Sequence, residues 1–289
     1  MSDLPSVSVI IPAFRQADFI DACLDSVAAQ SWEGPLEVVV IDDESPDDVG
    51  GRARNHPLKP RVIRQLNRGV AGARNRGIRE TTGTWVAFLD ADDRWTEDHL
   101  TRHMEALQAG SRPALSFSRY RRVTPAGEPL SIAPEHPAVD LKPSARRLLI
   151  QNFIGTSTVV AHRECLTRAG GFPDTPELRR AGQDYALWLR IAAYFPLVYV
   201  PHVGVLYTVH ADNRVGVDPV RHHSGGLYAL AELQRWEPDR FRSLSATSLN
   251  ALIARRTGRF LLDTLRYRER FPPGSARQAL EVSLGLLRR

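Results

Sequence analysis

From Val7 to Asp93 the chain repeats one pattern, and few folds accommodate it. "VSVIIPAF" at 7–14 and "LEVVVIDDES" at 36–45 are apolar runs of strand length. Between them "DFIDACLDSVAAQ" places Phe19, Ile20, Cys23, Leu24 and Val27 at helical spacing. Strand, helix and strand in that order make a β-α-β unit, with parallel strands and a right-handed crossover. "RVIRQL" at 61–66 reads as a third strand, "GVAGARNRGIRETTG" as a glycine-rich entry to a helix, and "TWVAFLDADD" as the next strand. Alternation sustained this long dictates an α/β fold, in which helices cover both faces of a mostly parallel sheet.

In such sheets ligands bind beyond the carboxyl ends of the strands. Asp42 and Asp43 follow one apolar run, and Asp90, Asp92 and Asp93 follow another. Three carboxylates within four positions repel one another, and the nearest basic residue in sequence is Arg94, so an outside divalent cation would relieve the strain. An Asp-rich turn leading into a helix at "WTEDHL" is the plain alternative, and both stay open on this segment alone. Asp47 and Asp48 are set aside: "SPDD" reads as a Ser45 N-cap, a proline at the first helical position and first-turn acids.

After Gly110 the pattern changes. "ALSFSRYRRV" alternates like an antiparallel strand, residues 125–143 read as irregular, and "STVVAHRECL" runs from a strand into a helix. "GGF" at 170–172 marks backbone that needs glycine. "QDYALWLRIAAYF" reads as an amphipathic helix, and "LVYVPHVGVLYTVH" as strand material broken at Pro201. From about 218 onward the chain reads as helices.

Composition excludes several classes. With 289 residues, 43% apolar and 25% charged, the chain is an ordinary globular protein. Its two cysteines, Cys23 and Cys165, have no metal-ligand spacing and suit a reducing compartment. "MSDLPSVSVIIPAF" has no basic leader, and no run of 18 apolar residues occurs, so a cytoplasmic protein is expected. The net charge of +5 suits a phosphate-bearing partner, but only two of the 38 basic residues are lysines, so the signal is weak. No nucleic-acid-binding signature accompanies it. Trp85, Trp95 and Trp188 sit in apolar periodic settings and read as core, with Trp95 also a candidate for the edge of an acceptor groove.

Taken together, "VSVIIPAF", "VVVIDDESPDD", "GVAGARNRGI", "GTWVAFLDADDRW", "GGF", "AGQDYALWLRIAA" and "LYTVH" resemble a family 2 glycosyltransferase of the GT-A fold, in the family's order, over residues 5 to 213. The resemblance implies a nucleotide-sugar-binding half at 5–110 and an acceptor-binding half at 111–215, followed by a helical extension at 216–289. It implies inverting, metal-dependent transfer from a nucleoside diphosphate sugar, commonly a UDP-sugar, to a glycan, lipid-linked or protein-linked acceptor. Pro12, Ala13 and Phe14 would border the base, Asp43 would accept a hydrogen bond from it, and Arg74 would lie close to the nucleotide. Asp90, Ala91 and Asp92 match the DxD motif that holds the ribose and a Mn²⁺ or Mg²⁺ ion. Asp92 would be a metal ligand with His210 a second candidate, and Asp93 would stand in the outer shell. Asp184 matches the catalytic base, with Gln183 beside it. The chemistry suits these types, because hard cations take carboxylate oxygens and an attacking hydroxyl needs one general base.

Two positions depart from the family pattern. Gln183 replaces the glutamate before the base, and Thr208 replaces an arginine in "YTVH". They keep alive a catalytically impaired nucleotide-sugar-binding protein of the same fold. A haloacid-type phosphohydrolase fits less well, since Arg94 stands two residues after the second Asp where that family has Thr or Val. The tail at 216–289 mixes apolar residues with arginines, which suits packing on the core, pairing with another subunit, or resting on the inner face of an anionic membrane.

Overall fold

The computed structural model describes residues 4–108, 110, 112–133, 145–179, 181–210, 219–245, 248–266 and 272–288. The chain forms two compact units. The first comprises Met1–Pro143, Ile154–Phe172 and Phe195–His210, and the second Ser144–Phe153, Pro173–Tyr194 and Ala211–Arg289.

The first unit begins as its sequence pattern requires. Strands β1 (Val7–Ala13), β2 (Leu36–Asp42), β3 (Arg61–Arg64) and β4 (Trp85–Phe88) pair in parallel in the order β3-β2-β1-β4. Helices α1 (Ile20–Ala28), α2 (Val49–Asn55) and α3 (Gly69–Glu80) make the crossovers. Burial on both faces explains the unbroken apolar run of β1. Val9 and Ile11 join one core with Ile20, Leu24, Val49 and Ala53 from α1 and α2. On the other face α3 comes so close that a Cβ on Gly77 would stand 2.3 Å from Ile10 Cγ2.

Beyond β4 the sheet becomes mixed. Strand β5 (Arg94–Trp95) leads into helix α4 (His99–Gln108), and β6 (Leu115–Val123), β7 (Pro129–Ala133), β8 (Val159–His162) and β9 (Leu197–Thr208) complete the sheet, with helix α6 (Arg163–Arg168) following β8. The order continues β4-β8-β6-β9-β5, with β7 on β6. β8 is antiparallel to β4 and β6, whereas β9 is parallel to β6.

Three local expectations are corrected. Pro201 does not break its strand: β6 pairs Phe117 with Tyr199 but Arg119 with Val203, so the extra residues of β9 form a bulge that accepts a proline without a ladder N–H. The stretch 125–143 is not wholly irregular, since the turn at 124–128 folds β7 back onto β6; residues 134–143 lie outside the described residues. Ser45 is not a helix N-cap, because α2 starts at Val49. The Ser45 hydroxyl instead accepts from the Arg15 N–H (2.7 Å) and donates to Asp47 (2.6 Å), whose other oxygen accepts from the Ala17 N–H (2.9 Å). Ser45 and Asp47 therefore tie two loops together.

In the second unit, α7 (Gln183–Ala192), α9 (Pro238–Leu244), α10 (Leu249–Arg266) and α11 (Ser275–Leu287) pack around α8 (Pro219–Trp236), and α5 (Ala145–Ile150) packs on α7 and α10. Trp188 is fully buried, and Arg190 reaches Glu232 at 2.6 Å. No described helix is long and apolar enough to cross a membrane.

Behind β5 lies a pair of buried histidines. His99 stacks on Trp95 with ring centroids 4.5 Å apart, and His103 lies 4.4 Å from His99. The Ser116 hydroxyl gives its proton to the Val160 carbonyl (3.0 Å), so His103 Nδ1, 2.7 Å away, must be the donor of that pair. Burial pushes both rings down, His103 to about 3, with His202 adding to the effect. Both are neutral when folded but take up protons when unfolded below about pH 6.5. Their contribution is complete above that pH and is lost as pH falls, by about 1.4 kcal/mol per pH unit for each histidine. Urea unfolding at pH 7.5, 6.5 and 5.5 should show this decline, and His103→Gln should flatten it by about one proton.

Candidate active site

The three carboxylates at the end of β4 take three different partners. The turn is closed by the Asp93 N–H on the Asp90 carbonyl (2.9 Å), and Ala91 is buried at its tip. Asp90 meets the Arg74 guanidinium from α3 at 2.5 Å. Asp92 lies 2.9 Å from His210 Nε2, just beyond β9, and the His210 ring stacks on Phe19 at 4.9 Å. Asp93 is 1% exposed and accepts from the Ser157 hydroxyl (2.6 Å) and the Thr208 N–H (3.0 Å). Burial, followed by the charges of Asp92 and Asp90, pushes its carboxyl well above the usual range. Burial and the same acids also push the Cys23 thiol up, which keeps it unreactive. Mutual repulsion is thus eased by the Arg74 charge beside Asp90 and by burial that disfavours the ionised form of Asp93.

Arg74 is itself held. Its side chain is 4% exposed and lies 5.3 Å over the Phe172 ring. The neighbouring Asn75 amide clamps the Phe172 backbone both ways, donating to its carbonyl and accepting from its N–H, each at 2.8 Å. Gly170 and Gly171 precede it in the left-handed region, and a Cβ on Gly171 would stand 2.6 Å from Asn75 Oδ1. The "GGF" glycines therefore let the chain deliver Phe172 beneath the arginine.

The strand ends beside this turn carry the other residues singled out from sequence. Pro12 and Ala13 close β1 opposite Ile41 and Asp42, and Arg15, in the left-handed region, lies 5.4 Å over the Phe14 ring. Asp43 is buried, and its Oδ1 accepts from Gln65 Nε2 (2.7 Å) and the Arg68 N–H (2.9 Å). Asp42 takes the Ser45 N–H (2.8 Å) and Arg64 (2.8 Å).

In the second unit Asp184 occupies the first turn of α7, after Gly182 with φ 91°. A Cβ on Gly182 would stand 2.4 Å from the Gly225 carbonyl oxygen, so the start of α7 meets α8 backbone to backbone. The Asp184 charge reaches His222 on α8. Gln183 is buried, and its Oε1 has no hydrogen-bond partner among the described residues.

The donor set at β4 fits a divalent ion that is completed by its substrate. Among the described residues no group of three or more His, Cys, Asp and Glu is arranged to hold a metal. Asp92 and His210 together offer one carboxylate and one imidazole, leaving further positions to phosphate oxygens and water.

The model of Glycosyl transferase family 2 matches residues 8–159, more than half of the chain. This chain belongs to that family. The amylovoran biosynthesis glycosyltransferase AmsB of Erwinia amylovora is 34% identical over 206 residues, 66% of this chain and 64% of that protein. The chain therefore spans less than two thirds of that relative. S. aureus TarS 1-349, solved with UDP-GlcNAc, superposes with a TM-score of 0.66 at 17% identity, over 96% of this chain and 79% of that one. The mannosyltransferase PcManGT of Pyrobaculum calidifontis, solved with GDP-Man and Mn²⁺, superposes at 0.60 and 22% identity, over 98% and 87%. The fold is GT-A.

Several residues that hold the acid turn and its neighbours in place were not singled out from the sequence. Ser157, on the 3-10 turn Thr156–Thr158, also accepts from the Asp90 N–H (3.2 Å), while its carbonyl takes the Trp95 indole N–H (2.8 Å). Nothing in "IGTST" distinguishes it. Gln65 was equally silent, and Phe172 and Asn75 lay inside quoted motifs that gave them no role of their own, because each meets a partner distant in sequence. Gly171→Ala should lower stability by about 1–3 kcal/mol, from left-handed strain and a displaced Asn75 amide. A lowered urea midpoint with an unchanged slope would register it.

Proposed function

We propose that the protein is an inverting, metal-dependent glycosyltransferase that moves a sugar from a nucleoside diphosphate donor, a UDP-sugar, to a hydroxyl of a glycan, lipid-linked or protein-linked acceptor in cell-surface polysaccharide assembly. The observation that carries the reading is the division of labour at the end of β4, where Asp90 is neutralised by Arg74, Asp92 is paired with His210 and Asp93 is buried. Family membership supports the reaction class, a relative in amylovoran biosynthesis supports the polysaccharide, and two structural neighbours solved with nucleotide sugars support the donor. On this reading the protein works in the cytoplasm, at the inner face of the membrane when the acceptor is lipid-linked.

Each residue then has a task. Pro12, Ala13 and Phe14 border the base, and Asp43 accepts from its ring N–H. Asp90 and Ala91 hold the ribose side of the nucleotide. Arg74, already charged and fixed by Phe172, needs no reorganisation to face a diphosphate. Asp92 and His210 would hold Mn²⁺ or Mg²⁺, which when bound stabilises the negative charge growing on the leaving diphosphate. Asp184 takes the proton of the acceptor hydroxyl as its oxygen attacks sugar C1 from the face opposite the leaving group, which inverts that centre.

Two measurements test this. Asp92→Asn, or EDTA with the unaltered protein, should abolish metal-dependent stabilisation by UDP in a thermal-shift assay and should cut transfer. Sugar transfer that survives EDTA rules the metal role out. Asp184→Asn should leave donor binding by calorimetry near its original value while cutting transfer by about 10²–10⁴-fold. Proton NMR of the product should show a β linkage from an α-linked donor; a retained anomer, or full activity in the Asn variant, removes Asp184 from the role of base.

A further inference from the structure

The second unit holds a pocket of about 100 Å³ between α5 and α10, lined by Leu149, Ile150, Leu252, Arg255, Arg256 and Arg259. Since a water's share of the liquid is about 30 Å³, a single tetrahedral oxyanion is on the right scale for it. Its three arginines fall within five consecutive residues of one helix. Like charges at i and i+4 repel, as Arg255 and Arg259 do. None of the three makes an ion pair with a carboxylate among the described residues. Elsewhere in the unit Arg190, Arg235, Arg242 and Arg277 each reach a carboxylate.

Arg256 is fixed in place before any ligand arrives. Its Nη1 donates to the Ile150 carbonyl (3.2 Å) and to the Tyr185 hydroxyl (2.9 Å), and its guanidinium lies 5.3 Å over the Tyr185 ring. The Tyr185 hydroxyl in turn gives its proton to the Leu148 carbonyl at 2.5 Å. The Arg256 charge reaches α8, where, after burial, it helps push His223 down to about 4. Arg255 and Arg259 are exposed and stand at the rim.

The remaining wall is apolar. Leu149 and Leu252 are buried, and Ile150 is 40% exposed at the mouth. Along the same helix Leu262 follows Arg255 by seven residues and Arg259 by three, which puts it on their face, and it is 67% exposed. Inorganic phosphate alone would use the arginines and leave this apolar surface in water.

We propose that this pocket binds the phosphate of a phosphorylated hydrocarbon chain, with Arg255, Arg256 and Arg259 on the phosphate oxygens and the chain along Ile150 toward Leu262. The arginine fork suits phosphate oxygens bidentately, and the apolar wall selects an ester with a hydrocarbon group over the free ion. The site uses residues of the second unit alone and does not depend on the sugar-transfer reading.

Calorimetry on the full chain tests it, with octyl phosphate below its micelle concentration, inorganic phosphate, and uncharged octyl glucoside. Octyl phosphate should bind at least tenfold more tightly than either control. The double variant Arg255→Ala and Arg259→Ala should weaken it by about 10- to 100-fold, the range for losing hydrogen bonds to a charged group. Both side chains are exposed, so the melting temperature of the double variant should stay close to the original. UDP binding should be unchanged in it, and octyl phosphate binding should be unchanged in Asp43→Ala. Octyl phosphate bound equally by the double variant, inorganic phosphate or octyl glucoside binding as tightly, or no binding of octyl phosphate, would overturn the proposal.

Discussion

Asp93 sits out of water beside two other carboxylates, and it stays there because Ser157 and the Thr208 backbone N–H reach it from two distant parts of the chain. A buried carboxylate without partners costs several kcal/mol, so these two contacts must form together with the turn. The geometry of the first unit follows from them. Thr208 is the last residue of β9, so bringing its N–H to Asp93 carries His210, two residues on, to Asp92. Ser157 holds the Asp90 N–H as well, which sets the carboxylate that Arg74 neutralises. One buried acid thus aligns the two beside it, Asp90 against Arg74 and Asp92 against His210.

At Thr208, where the resemblance has an arginine, the turn takes a backbone contact. What reaches the acid cluster from this position is the backbone N–H, which any residue except proline supplies, while the threonine side chain is buried. On the other side of the cluster the positive charge comes from Arg74, gripped by Phe172 and indirectly by Asn75. Glycine decides the close approaches in both units. Gly77 lets α3 lie against β1, Gly171 lets the chain pass the Asn75 amide, and Gly182 lets α7 start against the backbone of α8. Each places a candidate site side chain one to three residues away: Arg74, Phe172 and Asp184.

The second unit solves a different problem, with its charges divided into two sets. Arg190 is buried against Glu232 and lies 5.1 Å over Trp236, so its charge is spent internally. Arg255, Arg256 and Arg259 on α10 have no such carboxylate partner among the described residues, and the Arg256 charge extends to His222 and His223. Repulsion of this kind is tolerable at a surface, where solvent screens it, and it becomes useful when an anion can enter.

Sequence alone determined the parallel half of the sheet, because a strand buried on both faces must be apolar throughout and a crossover helix must carry one apolar stripe. It also determined which strand ends bear acids, since Asp90, Asp92 and Asp93 follow β4 whatever the tertiary arrangement. The family motifs added roles for Asp43, Arg74, Asp184 and His210 that no local pattern contains. Misreadings arose where local preference and long-range pairing disagree. Pro201 has the propensity of a strand breaker, yet the bulge against β6 absorbs it; Ser45 has that of a helix cap, yet Arg15 and Asp47 claim its hydroxyl. Only the tertiary structure decided that Asp93 is buried while Asp92 meets His210, and that Ser157 and Phe172 support the site. Those outcomes depend on contacts between residues up to 118 positions apart, from Asp92 to His210, and such contacts leave no periodic trace in the chain.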